Sequence, residues 1–200
     1  MTGQGTSPGL VATLIAAAAS TDYLAGYTPI GASSTWTRTG TGSVWLTAPT
    51  NGGVVNIKAA VWAPSGSSWT HSFEIGCAIA GASSSVGMIV RDSVSGRCLI
   101  FAVDAALATH IYRVTLTTFV ADSGTTSSIP AALAPTMWLT VVYNGTTLAW
   151  YAGYALGDRA ISLGSETVAT YLAVAPDQVG VYQDPYNGTV SAAVADRMSK

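Results

Sequence analysis

The feature that most restricts this chain is its punctuation. From Thr35 onward, short runs of apolar and polar residues recur at roughly ten-residue spacing, each closed by a turn rich in Gly, Pro, Asn or Ser. Thr70–Ile79 alternates most cleanly. Phe73, Ile75, Cys77 and Ile79 fall on one face, and Ser72, Glu74, Gly76 and Ala78 on the other. Thr136–Tyr143 and Thr146–Tyr154 flank Asn144-Gly145, the strongest hairpin signal in the chain. Further strands are expected at Thr35–Thr39, Ser43–Thr47, Val54–Trp62, Val86–Asp92, Gly96–Asp104, Thr109–Phe119, Gln178–Gln183 and Thr189–Asp196. That makes about eleven, the pattern of a sandwich or barrel. Helical patterns do not alternate with the strands, which opposes a parallel α/β sheet; one short helical turn is expected between Ala160 and Thr170. No blade-length repeat points to a propeller.

A chain of 200 residues is one domain, or one domain with a terminal arm. Residues 1–30 read as the arm and 31–200 as the domain. Ser7-Pro8 suits a helix start, and the Ala-rich run behind it favours helix. Its apolar residues, Leu10–Ala19, lie almost all round, so this segment either docks into another subunit or folds onto its own sandwich. No Lys or Arg precedes the run, and it is too short to span a bilayer. No export signal and no membrane anchor are therefore expected. Charged residues make up 9%, far below the usual quarter or so. The net charge of −2 and the lack of a basic stripe oppose a nucleic-acid partner.

The last third resembles a concanavalin A-like lectin/glucanase domain. The segments that carry the resemblance are Met137–Tyr151, Ala175–Tyr182 and Asn187-Gly188-Thr189. The resemblance covers residues from about 30 to 200 and implies an all-β, antiparallel two-sheet jelly roll, a fold rather than an activity. A second resemblance is to virion proteins of tailed phages, of minor tail, head decoration or fibre type. It implies attachment to other virion proteins through the N-terminal arm, many copies or a homo-oligomer, and a sandwich exposed to host surface glycans.

The candidate sites divide by chemistry. Glucanases of this fold carry Glu, a spacer, Asp, two spacers and Glu on one strand. The chemistry needs two carboxylates flanking one anomeric carbon. Here Glu74 is followed by Gly76 and Ile79, and Glu166 reads as a residue of a loop or short helical stretch. A Ser-His-Asp triad has no nucleophile-elbow pattern behind it. The expectation is a protein that is not an enzyme, with no cofactor. Asp184-Pro185-Tyr186-Asn187 has calcium-loop residue types but lacks an upstream acidic pair, so it reads as a turn, as do Asp122 and Asp177. His71 and His110 have no obvious ligand neighbours, and no metal site is assigned. Cys77 and Cys98 fall on different strands, open either to a cross-strand disulfide or to two buried thiols.

Sugar binding instead calls for aromatics, because a pyranose stacks its apolar face on Trp or Tyr. Of Trp36, Trp45, Trp62, Trp69, Trp138 and Trp150, only Trp62 and Trp69 flank an evident surface loop, Ala63–Ser68. A stacking platform is expected from Trp62 and Trp69 with Tyr151 or Tyr154; ordinary core packing is the competing reading for each. The functional expectation is a virion structural protein with a lectin-like domain. The alternatives are a free bacterial lectin or carbohydrate-binding module, and then a glycoside hydrolase or lyase.

Overall fold

The computed structural model describes residues 28–31, 44–48, 58–79, 85–104, 108–115, 120–128, 136–184 and 190–195. These form thirteen strands and a single 3-10 turn, Val168–Thr170. In chain order the strands are β1 (Thr28–Gly31), β2 (Val44–Ala48), β3 (Lys58–Trp62), β4 (Trp69–Ile79), β5 (Ser85–Arg91), β6 (Arg97–Asp104) and β7 (Ala108–Thr115). β8 (Val120–Ser128), β9 (Thr136–Tyr143), β10 (Thr147–Gly153), β11 (Ile161–Thr167), β12 (Gln178–Asp184) and β13 (Val190–Ala195) follow. Two antiparallel sheets result: a seven-stranded one ordered β1-β3-β12-β5-β6-β7-β8, and a six-stranded one ordered β11-β10-β9-β4-β13-β2. The chain crosses between sheets after β1, β2, β3, β4, β8, β11 and β12. This is the expected jelly-roll sandwich.

The alternation of the sequence explains which residues meet between the sheets. Phe73, Leu139, Val141, Leu148 and Trp150 face inward from the six-stranded sheet. Met88, Val90, Leu99, Phe101, Val179 and Val181 face them. Phe101 and Trp150 stack across the interface with ring centres 6.5 Å apart. Burying a side chain such as Leu139 or Leu148 contributes about 1.5–3 kcal/mol. The outer face of the seven-stranded sheet is buried as well, and its own residues Ala59, Val61, Ile89, Ile100 and Tyr182 form a second apolar cluster there. Burial on both faces is why β6 reads Cys98-Leu99-Ile100-Phe101-Ala102-Val103 with no alternation.

Several expectations need correction. The short helical turn expected between Ala160 and Thr170 is present as Val168–Thr170, but the strand before it, β11, was not expected. Ile161 and Leu163 pack inward there, so tertiary burial decides for a strand. β8 was not expected, since Val-Ala-Asp-Ser-Gly-Thr-Thr-Ser-Ser has turn composition; it is an edge strand, where polar residues are tolerated. Asp122 therefore lies on a strand and not in a turn. β1 pairs with β3, so the sandwich already includes Thr28–Gly31; residues 1–27, and with them Leu10–Ala19, lie outside the described residues. The expected strand Thr35–Thr39 and the turn at Asn187-Gly188 lie outside them too. Cys98 is a buried free thiol, and burial pushes its pKa up to about 12. Among the described residues no helix is long and apolar enough to cross a membrane.

Candidate functional site: a cleft at one end of the sandwich

The register brings four loops to one end. Trp62 lies opposite Val179, which lies opposite Val90, while Trp69 lies opposite Tyr143 and Tyr143 opposite Leu148. The segments 63–68, 92–96, 144–146 and 168–177 leave the strands together there. The hairpin between β9 and β10 forms as expected, but not as a two-residue turn. Tyr143 pairs with Leu148, leaving four residues between them. Asn144 Oδ1 accepts the amides of Thr146 (3.0 Å) and Thr147 (2.8 Å), and Gly145 takes φ 95°, a conformation glycine adopts without strain.

Asp92 organises this end. Its buried carboxylate accepts Val94 N (2.9 Å), Ser95 N (3.2 Å) and Ser95 Oγ (2.7 Å) from its own turn. From the distant 168–177 segment it accepts Ala173 N (3.1 Å) and Val174 N (3.2 Å). Burial opposes its ionisation, but the bonds from Ser95, Val174 and Val94 outweigh that and hold its pKa below the usual value. Asp177 accepts the amide and hydroxyl of Ser93, and Arg97 donates to Tyr171 O (2.9 Å) while lying 5.5 Å from its ring centre. Asp177 lies in a loop, as read, but its carboxylate bonds Ser93, 84 positions away, and so links two loops where a local turn was expected. Asp92 is the residue that sequence reasoning missed.

Between the 144–146 turn and the 168–175 segment lies a cleft of about 290 Å³. Tyr143, Val168 and Leu172 give it apolar walls, and Gly145 and Thr146 border one side. Ala169, Ala173, Val174 and Ala175 border the other. Val168 N donates to Thr146 O (2.9 Å), which ties the two sides together, and Tyr143 Oη donates to Gly145 O (2.9 Å).

The expected aromatic platform is divided by the fold. Trp62 and Trp69 come together at the cleft end but are half-buried against the core. Trp62 stacks on His71 at 5.4 Å, and Trp69 packs at 5.5 Å against Tyr143, the wall of the cleft. Tyr151 pairs with Thr140 on the outer face of the six-stranded sheet, about 10 Å along β9 from Tyr143. Tyr154 is 63% exposed in the β10–β11 loop. Trp150 is core, and Trp138 is buried on the outer side.

Glu166 lies on β11, not in a loop, and its carboxylate takes two bonds from Arg113 (2.6 and 3.1 Å). A further polar cluster, unseen in the sequence, lies on the seven-stranded sheet. Asp184, Ser85 and Asp104 stand opposite one another on adjacent strands. Asp104 bonds His110 Nε2 (2.9 Å), while Ser85 Oγ bonds Tyr182 Oη (2.9 Å) and so is not presented to the histidine as a triad requires. Among the described residues no three His, Cys, Asp or Glu converge as metal ligands.

No model of a known protein family matches the sequence, and no curated protein matches it. Solved structures do share the fold. A functionally unknown protein from Saccharomyces cerevisiae superposes with a TM-score of 0.61 at 14% identity, over 88% of this chain and 97% of that one. The carbohydrate-binding module CBM66 from Bacillus subtilis matches with a TM-score of 0.54 at 13% identity, over 86% and 92%. An alginate lyase from Corynebacterium sp. matches with a TM-score of 0.50 at 10% identity, over 79% and 77%. The chain also spans 32% of the length of GH43 proteins that it matches. Identities this low establish the fold alone.

These likenesses correct the expectation that the chain is not an enzyme. The same sandwich forms most of an alginate lyase and part of GH43 proteins. The missing Glu-x-Asp-x-x-Glu pattern removes one carboxylate pair and the chemistry that depends on it, and it leaves other chemistries untouched.

Proposed function

We propose that this chain is a glycan-binding domain whose sugar site is the cleft between the 144–146 turn and the 168–175 segment. The observation that carries this is the cleft itself: about 290 Å³, apolar walls, and a hydroxyl and backbone rim. A pyranose has the complementary surface, with C–H groups on its faces and hydroxyls around its edge. The fold shared with a carbohydrate-binding module favours a sugar over other small ligands of that shape. Attachment to a phage particle through residues 1–30 stays outside this proposal, because nothing among the described residues favours it.

Titration calorimetry on the whole chain, guided by a glycan array, tests the reading. At least one glycan family binds at about 1 mM or tighter. Ala169→Trp, an exposed substitution that fills the cleft, abolishes binding while the melting temperature stays near that of the parent. Thr146→Val weakens it by removing a rim hydroxyl. No glycan bound at that concentration, or unchanged binding by Ala169→Trp, sinks the proposal.

A further inference from the structure

We infer that the outer face of the six-stranded sheet carries a second site, for a carboxylate-bearing sugar, built by Arg159, Tyr151 and Thr70. The inference rests on the glycan-binding reading and adds a ligand class to it at a separate place. The register sets Thr70, Val142 and Ala149 in one row across β4, β9 and β10. The next row is Ser72, Thr140 and Tyr151. Both rows face away from the core. Ser72 and Thr140 are buried and bonded to each other at 2.9 Å, so they form a floor.

Arg159 leaves the β10–β11 loop and folds back over this floor. Its guanidinium carbon lies 5.7 Å from the Tyr151 ring centre, and Nη2 lies 3.4 Å from Thr70 Oγ1. The loop turns around the neighbouring Asp158, which accepts Tyr154 N (3.0 Å) and Ala160 N (3.0 Å) and fills the space beside Gly153. Asp158 thus faces its own loop rather than Arg159.

The other arginines with described side chains are committed. Arg91 bonds Gln178 (2.6 Å), Arg97 bonds Tyr171 O, and Arg113 pairs with Glu166. Arg159 is exposed and forms no ion pair among the described residues. In a chain with only 9% charged residues, a cation held over an aromatic ring without a carboxylate is set to receive one. A guanidinium positioned by a ring offers the remaining N–H groups of its edge to a carboxylate as a fork, and the ring can take the apolar face of the same sugar. A neutral sugar would gain from the ring but not from the cation. A uronate uses both.

The test compares an oligogalacturonate with its methyl ester, which keeps the shape and removes the charge, in calorimetry on the whole chain. The acid binds about tenfold more tightly than the ester, and the difference shrinks as salt is raised. Arg159→Gln lowers acid affinity to the ester's level and leaves the fold intact by circular dichroism. Tyr151→Leu weakens both ligands. Ala169→Trp, which closes the end cleft, keeps the preference for the acid. Equal affinity for acid and ester in the parent chain, or a preference that survives Arg159→Gln, overturns the second site and leaves Arg159 as a cover for Tyr151. Loss of neutral-glycan binding in Ala169→Trp with the uronate response retained upholds both sites. A uronate response with no neutral binding anywhere upholds this one and removes the cleft.

Discussion

Two aspartates hold two loops, and they do it differently. Asp92 takes five donors, two of them from residues 81 and 82 positions away, and its carboxylate is buried. Asp158 takes two donors, from residues four and two positions away, in a loop whose Tyr154 and Leu156 are exposed. The first ties the 92–96 turn to the 168–177 segment, which is one wall of the cleft, and so fixes where that wall stands. The second shapes a single local turn and leaves Arg159 to reach over the sheet. The difference is one of range. A long-range carboxylate sets the relative position of two loops, whereas a local one sets only the path of its own.

The largest expected effect follows from that difference. Asp92→Ala leaves the amides of Val94, Ser95, Ala173 and Val174 without their acceptor at a buried place. Bonds to a charged acceptor contribute about 1.5–3 kcal/mol, so the loss should be on the order of 3 kcal/mol. Binding at the cleft should fall with it. Asp158→Ala, whose turn is open to water, should lose no more than about 1 kcal/mol. Urea unfolding of both variants measures this. Equal losses would dissolve the distinction between the two loops.

Acid sharpens the comparison next. His71 lies directly under the cleft end, stacked on Trp62 and edge-on to Phe73 at 4.3 Å. Burial lowers its pKa to about 4, against 6.5 for the free side chain. Between those values the unfolded chain takes up a proton that the folded chain refuses. Stability therefore falls as pH drops from about 6.5 to about 4, by up to about 3 kcal/mol, and this contribution then levels off. Asp92 responds later. Its pKa is depressed in the fold, so its contribution is present above the ordinary carboxylate range and disappears as pH falls through the folded value. Unfolding midpoints measured from pH 7 to 3 should show the histidine phase first. His71→Phe, which keeps an aromatic under Trp62, should flatten the upper phase and leave the lower one. A parent chain with constant stability between pH 6.5 and 4 would contradict the assignment to His71.

What the sequence made legible follows the same division by range. Thr136–Tyr143 was readable to the residue because alternation and a following Asn-Gly act locally. The sandwich followed from many such runs. β8 was not readable, because an edge strand needs no apolar alternation, and Val120–Ser128 pairs through its backbone. β11 was missed because Gly164 and a register shift opposite Trp150/Tyr151 interrupt its period. The site was less legible than the fold. Trp69 was rightly placed beside a surface loop, but alternation alone could not say that Trp69 faces the core side while Tyr151 faces away. Asp92 ended the expected strand Val86–Asp92, and Asp-Ser-Val-Ser is a local motif. Its bonds to Ala173 and Val174 depend on which loops the jelly-roll connection brings together, and no local pattern encodes that. The acidic-sugar site is also set by register, since Thr70 and Tyr151 share a face only once β4, β9 and β10 are aligned.

Asn144 offers the finest test, because it is a local device placed at the long-range end. Its side chain accepts two amides within its own hairpin loop, as Asp158 does in the other loop. Yet Thr146 on that loop also receives the bond from Val168 that joins the cleft walls. Asn144→Ala removes the local bonds and keeps the long-range one. The expected loss of stability is about 1 kcal/mol, smaller than for Asp92→Ala, because the loop is exposed and water replaces the lost acceptor. Asn144→Asp keeps an acceptor oxygen at the same place and should recover most of that stability. Glycan affinity should drop only a few-fold in Asn144→Ala, since the wall-to-wall bond persists. If Asn144→Ala instead abolishes binding as completely as Asp92→Ala, the cleft depends on the local turn as much as on the bond across it, and range is no longer what separates the two kinds of loop.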